Sequence, residues 1–300
     1  MLATEPTLDL EISPSFELTV PRAAPPKSLS GIIASRLQFA IDLIKDAPRM
    51  MVAENQTPWC HRQLYKNGMP RVMQDAYTCC SLHLNKNEMN APVVMSILES
   101  RTRDLLSSPI PTSPLDILAR TQAIILYKIM HLFDGNTRSH FAIESLSAAL
   151  DSSAMSLHGY LHFPDPSHPT QLFPTSMEPI MNFWDTWIFQ ESAWRTVLLT
   201  LYFHQVYNVL QGRIPTVCDG KLGLTHAWYL SAHLWNSQSA FDFAIAWMEK
   251  PHFVVYDADF SSVLCDAQPS DVDVFGRMWL VTLLGIDEAK AWFYSRGALL

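Results

Sequence analysis

The sequence predicts an all-α fold, and three observations carry that expectation. Apolar residues recur at three- and four-residue spacing in long stretches, proline, glycine and short polar runs punctuate the chain between them, and strand-like alternation is too sparse for an α/β sheet. Of 300 residues, 48% are hydrophobic and 17% charged, so a substantial core is available. The net charge of −8, from 21 basic and 29 acidic side chains, suits neither a disordered acidic tail nor a basic nucleic-acid-binding module.

Taken in order, residues 1–30 mix Pro14, Pro21, Pro25 and Pro26 with Ser, Thr and acids, and read as a flexible leader. Residues 31–300 read as a single helical domain, two fused helical subdomains being the alternative. Ile32, Ile33, Leu37, Ala40, Ile41 and Ile44 line one face of a first helix expected to end before Pro48. Pro70 opens a second helix to Leu84, on which Val72, Met73, Ala76, Tyr77 and Cys80 share a face. Asn90 and Pro92 start a third, which runs to Leu106 and is stopped by the Pro/Ser stretch Ser107 to Pro114. Leu118, Thr121, Ile125, Ile129 and Leu132 mark a fourth from Leu115 to Phe133, with Asp134 and Gly135 as terminator. A helix of small and apolar residues follows from Ser139 to Leu157, then a loop in which Pro164, Pro166, Pro169 and Pro174 exclude regular structure. The longest pattern, Glu178 to Gln211, predicts a central helix that organises the core. Leu224 to Glu249 reads as helical with a break near Asn236–Ser239, His252 to Tyr256 as strand or loop, and Val272 to Tyr294 as the last helix.

Several function classes fall away. The five cysteines, Cys60, Cys79, Cys80, Cys218 and Cys265, form no paired framework, and no basic segment precedes an apolar one at the start, so a nuclear or cytoplasmic protein is expected. The run Met278–Ile286 is too short to cross a bilayer, and Val197–Leu210 is interrupted by Tyr202, His204, Gln205 and Asn208, so no membrane span is expected. Dinucleotide, Walker A, nucleophile-elbow, kinase and deaminase motifs are absent, and no cofactor is expected. Scattered basic residues argue against direct nucleic-acid binding. Cys60 beside His61 is weak evidence for a nucleophilic pair, because neighbours on a helix point apart. Adjacent Cys79 and Cys80 lack metal-clamp spacing, and His158 and His162, near Asp165, meet Pro164 where their helix would have to continue; loop or core roles are favoured and no metal is expected.

The central helix holds the more persuasive polar set. Glu191 and Arg195 stand four residues apart with the acid first, the favourable order for an ion pair on one helix face. Surrounded by Trp184, Trp187 and Trp194, and followed by His204 and Gln205, they suit either a salt bridge among core aromatics, the favoured reading, or a pocket for a planar ligand. Tyr229 and His233, again four apart, would converge on that pocket if both lie on one helix, among Trp228, Trp235, Asp242 and Trp247. The ligand-facing expectation is therefore Trp187, Glu191, Arg195, His204, Tyr229 and His233.

The runs PWCHRQLY from Pro58, MQDAYTCC from Met73, LARTQAIILYKIMHLFDG from Leu118, WDTWIFQESAWRTVL from Trp184 and LWNSQSAFDFAIAW from Leu234 resemble, as an ordered set over about residues 55–250, the regulatory (middle homology) region of fungal zinc-cluster transcription factors. The resemblance implies an all-helical regulatory domain that binds small effectors or protein partners and acts in the control of metabolism. It departs from the family in the DNA-binding half, which would need six cysteines on two zinc ions; five scattered cysteines with no CxxC pair do not supply it. Either that half lies outside this chain, or the regulatory fold serves another role. The functional expectation is a ligand-responsive or protein-interacting regulatory domain, with an aromatic or polyketide-like metabolite and a transcriptional protein as partners. The alternative is a cofactor-independent isomerase, cyclase or dehydratase of secondary metabolism, with Glu191, His204 and Tyr229 as proton-carrying candidates.

Overall fold

A computed structural model describes residues 26–134, 140–162, 177–211 and 227–300. Residues 1–25 of the expected leader, the proline-rich loop around Pro164–Pro174 with Asp165 and His168, and Gly135, Cys218 and His226 lie outside the described residues.

The fold is all-α and multi-helical, as the periodicity predicts. Its helices are α1 (Pro26–Glu54), α2 (Arg71–Leu84), α3 (Ala91–Ser107), α4 (Pro114–Phe133), α5 (His140–His158), α6 (Glu178–Leu210), α7 (Ala232–Trp235), α8 (Ala240–Glu249), α9 (Ser261–Asp266), α10 (Val274–Leu284) and α11 (Ile286–Ser295). Strands β1 (Ala227–Leu230) and β2 (Phe253–Tyr256) pair antiparallel, with Ala227 opposite Tyr256 and Leu230 opposite Phe253. A 3-10 turn, Pro269–Asp271, precedes α10.

Two helices form the centre. Every residue of α4 from Ile117 to His131 is buried, as is every residue of α6 from Gln190 to Thr200. A helix enclosed on all sides must satisfy its polar side chains internally. Gln122 does so at the α4–α6 seam: its amide donates to Thr196 Oγ1 at 3.1 Å and the Trp59 carbonyl at 3.2 Å, and it accepts from the Tyr65 hydroxyl at 2.7 Å. These bonds seat the loop between α1 and α2 on both central helices.

Three boundaries depart from the sequence expectation. Pro48 does not end α1, which continues to Glu54. The lost backbone bond, about 3 kcal/mol in a helix interior, is offset because the extra turns bury Met51 in line with Ile44 and Ala47. Within the segment read as helix from Leu224, Ala227–Leu230 form β1, whose four residues are all buried; Trp228, Tyr229 and Leu230 find a partner strand in β2. The expected last helix is two, divided at Gly285, which has φ 99° and where an added Cβ would stand 2.9 Å from Glu288 Oε2.

Candidate functional site

Arg195 projects from the enclosed part of α6 and is completely buried, 0% exposed. Its Nε donates to Glu191 Oε1 at 2.7 Å, as the four-residue spacing predicts. One terminal nitrogen donates to Asp273 Oδ2 at 2.5 Å and to the Pro58 carbonyl at 3.2 Å, and the other to the Tyr229 carbonyl at 2.9 Å. The guanidinium stands over the Trp235 ring, its central carbon 3.8 Å from the ring centre. Glu191 in turn accepts the Tyr229 backbone N–H at 3.2 and 3.1 Å, one distance to each oxygen. Burial pushes the Glu191 carboxyl up to about 6, against the pull of Arg195 and the Tyr229 amide, which leaves it ionised at neutral pH.

This cluster ties together four pieces of chain: the loop at Pro58, α6, β1 and the start of α10. Asp273 does double duty, because its other oxygen caps α10 by accepting the Gly276 N–H at 2.8 Å. Nearly all the hydrogen-bonding capacity of the guanidinium is used inside the protein.

A cleft of about 300 Å³ opens beside the cluster. Thr57, Pro58, Trp235, Asn236, Ser270, Asp273 and Arg277 are among its walls, so the cleft shares three residues with the shell around Arg195. The Thr57 hydroxyl is buried and makes no hydrogen bond among the described residues. Asn236, Ser270 and Ala232 also border a second, more open groove of about 540 Å³, lined by His233, Phe241, Asp242 and Lys250.

The six sequence-predicted residues divide into three places. Glu191, Arg195 and the backbone of Tyr229 meet in the buried cluster, and the Trp187 ring packs 6.3 Å from the Tyr229 ring and 5.0 Å from Phe243. His233 sits on α7 at the edge of the open groove, 3.2 Å from Asp271. Tyr229 lies on a strand and His233 on the following short helix, so the four-residue convergence expected of one helix does not occur. His204 lies 13 residues beyond Glu191 on the same straight run of α6, which separates them by roughly 20 Å along the axis and turns them to different sides. It pairs with Asp151 of α5 at 2.7 Å. Glu191 and His204 therefore do not face a common point.

Cys60 and His61 are arranged against thiolate chemistry. Burial pushes the Cys60 thiol up, whereas burial and nearby Arg195 lower His61 to about 3. His61 Nδ1 accepts the Gln63 N–H at 3.1 Å, and its ring stands edge-on to Trp184, Trp187 and Trp235. His158 packs against Trp194, and the His162 backbone N–H donates to Gln190. Among the described residues no group of three or more His, Cys, Asp or Glu could hold a metal ion, and no helix is long and apolar enough to cross a membrane.

The chain is a distant relative of the transcription factor gsfR2 of Penicillium aethiopicum. The two are 30% identical over 262 residues, which is 86% of this chain and 62% of that protein, so this chain spans less than two thirds of the relative's length. No family model matches, and no solved structure matches.

Sequence reasoning missed Asp273, Thr57 and Lys128. Asp273 had a readable signal, an acid just before an apolar helix with glycine three residues on, but reading the helix from Val272 hid the cap. Lys128 also had one: it falls between Ile125 and Leu132 on the face that the α4 repeat assigns to the core.

Proposed function

We propose that the chain is a ligand-responsive regulatory domain in transcriptional control of fungal metabolism, working through a protein partner rather than by touching DNA, in the nucleus or cytoplasm. The observation that carries this reading is the relationship to a transcription factor, which runs along 86% of the chain and so takes in most of the helical assembly rather than one motif. The cleft beside Arg195 supplies a physical route for a response. A ligand in it would touch Trp235, Pro58 and Asp273, the groups that hold the guanidinium, and would thereby bias the packing of α6, β1 and α10 together. Trp235 and Phe275 offer apolar surface to a planar metabolite of aromatic or polyketide type, while Thr57, Asn236 and Ser270 offer hydrogen bonds to its oxygens.

The test is incubation of purified protein with extract from a strain deleted for its gene, followed by mass spectrometry of retained and released compounds. Retention of a compound unchanged, lost in S270W where a bulky ring fills the cleft, and accompanied by altered transcript levels in the deleted strain, is the expected result. Protein-dependent conversion of a compound into a new one would replace the regulatory reading with an enzymatic one.

A further inference from the structure

A second completely buried cation lies away from the cleft. Lys128 of α4 is 0% exposed, and its ammonium makes no hydrogen bond among the described residues. It faces the far half of α6, with Nζ 4.9 Å from the centre of the Phe203 ring and 5.1 Å from that of Tyr207. Two carboxylates of α5, Glu144 and Asp151, lie within electrostatic reach. Each is engaged elsewhere: Glu144 accepts from the Tyr207 hydroxyl at 3.1 Å, and Asp151 pairs with His204 at 2.7 Å.

This is an expensive arrangement to leave incomplete. An ammonium has three donors, ring faces supply no acceptor, and an unpaired buried charge costs several kcal/mol. Other buried cations meet oxygen: Arg195 two carboxylates and two carbonyls, and Arg120, whose Nε is itself without a partner among the described residues, the Leu105 carbonyl at 2.9 Å and the Ser108 hydroxyl at 2.5 Å. Burial lowers the Lys128 ammonium to about 8, with Asp151 and Glu144 opposing the shift.

We propose that Lys128 donates to the carbonyl oxygen of a small neutral ligand held at the junction of α4, α5 and α6. The charges around it select that class. Two carboxylates already lie within electrostatic reach of the one ammonium, so an anionic ligand would add repulsion, whereas a neutral carbonyl supplies an acceptor without adding charge. Phe203 and Tyr207 wall the site with rings, and Asp151 and His204, 60% and 24% exposed, mark its solvent side. The inference is independent of the cleft beside Arg195.

The experiment uses benzaldehyde with sodium cyanoborohydride on the full chain near neutral pH. The Lys128 amine attacks the carbonyl carbon, water leaves, and hydride from cyanoborohydride reduces the imine to a stable secondary amine that peptide mass spectrometry locates. Lys128 is expected to be labelled, because burial favours its neutral amine and the ligand site admits the aldehyde to it. Acetophenone, which offers the same carbonyl but reacts slowly, is expected to protect Lys128 and to raise the melting temperature. In K128M, with helical content checked by circular dichroism, that rise is expected to vanish. Failure of Lys128 to label, labelling that acetophenone leaves unchanged, or an equal rise in wild type and K128M would each overturn the proposal; an ammonium solvated only by internal water gives the second of these results.

Discussion

Arg195 and Lys128 are both fully buried, each on one of the two helices enclosed on every side, yet the protein treats them in opposite ways. Arg195 is wrapped by Glu191, Asp273 and two backbone carbonyls, so its charge joins distant segments. Lys128 has ring faces and, among the described residues, no hydrogen-bond acceptor. Burial of a charge does not by itself assign a role; the completeness of its partners does. A satisfied cation is cement, and an unsatisfied one is either a liability or a docking point.

Removing Arg195 gives the largest effect. R195A leaves Glu191 and Asp273 buried without their common partner and is expected to cost about 3–5 kcal/mol in urea unfolding. R195K is expected to recover less than half of that, because one ammonium cannot replace a planar fork reaching four oxygens. A loss below about 1 kcal/mol in R195A would show that the cluster does not hold the fold.

The pH dependence at Lys128 comes next. Its folded value, about 8, lies below the ordinary 10.5, so between these limits the unfolded chain binds the extra proton and stability rises with pH. The penalty is fully present below about pH 8, and the wild-type minus K128M difference is expected to change by roughly 2–3 kcal/mol across the window. On the acid side, His61 and His131 are held neutral by burial, at about 3 and about 4 against 6.5 when free. Stability is therefore expected to fall as pH drops from about 6.5 towards 4, in wild type and K128M alike.

K128M itself is expected to gain about 1–2 kcal/mol at neutral pH in the absence of ligand, the opposite sign to R195A. Destabilisation instead would mean that the ammonium is already satisfied and would erase the contrast. The smallest effect is at the cleft: T57V removes a buried hydroxyl that has no partner and should shift stability by no more than about 0.5 kcal/mol, while weakening retention of any ligand that uses that hydroxyl.

Much of the fold was legible. The core faces of α2, α4 and α6 follow from apolar spacing, and Glu191 with Arg195 follows from four-residue spacing and charge order. The candidate site was legible only in part. Glu191 and Arg195 were named, but the third ionic partner lies 78 residues from Arg195, and no local pattern announces it. His204 was grouped with Glu191 because both are polar residues on one long helix, although their separation along it already forbids a shared target.

The sequence alone determined where the chain coils, because helical hydrogen bonds and side-chain periodicity are settled within a few residues. Tertiary structure decided what the same signals could not: that Trp228 and Tyr229 form a strand, because β2 lies alongside to pair with it; that α1 passes Pro48, because the next turn reaches the core; and that Arg195 is sated while Lys128 is not. Each of these outcomes depends on which distant group arrives at a given point, and the packing of the whole chain sets that distance.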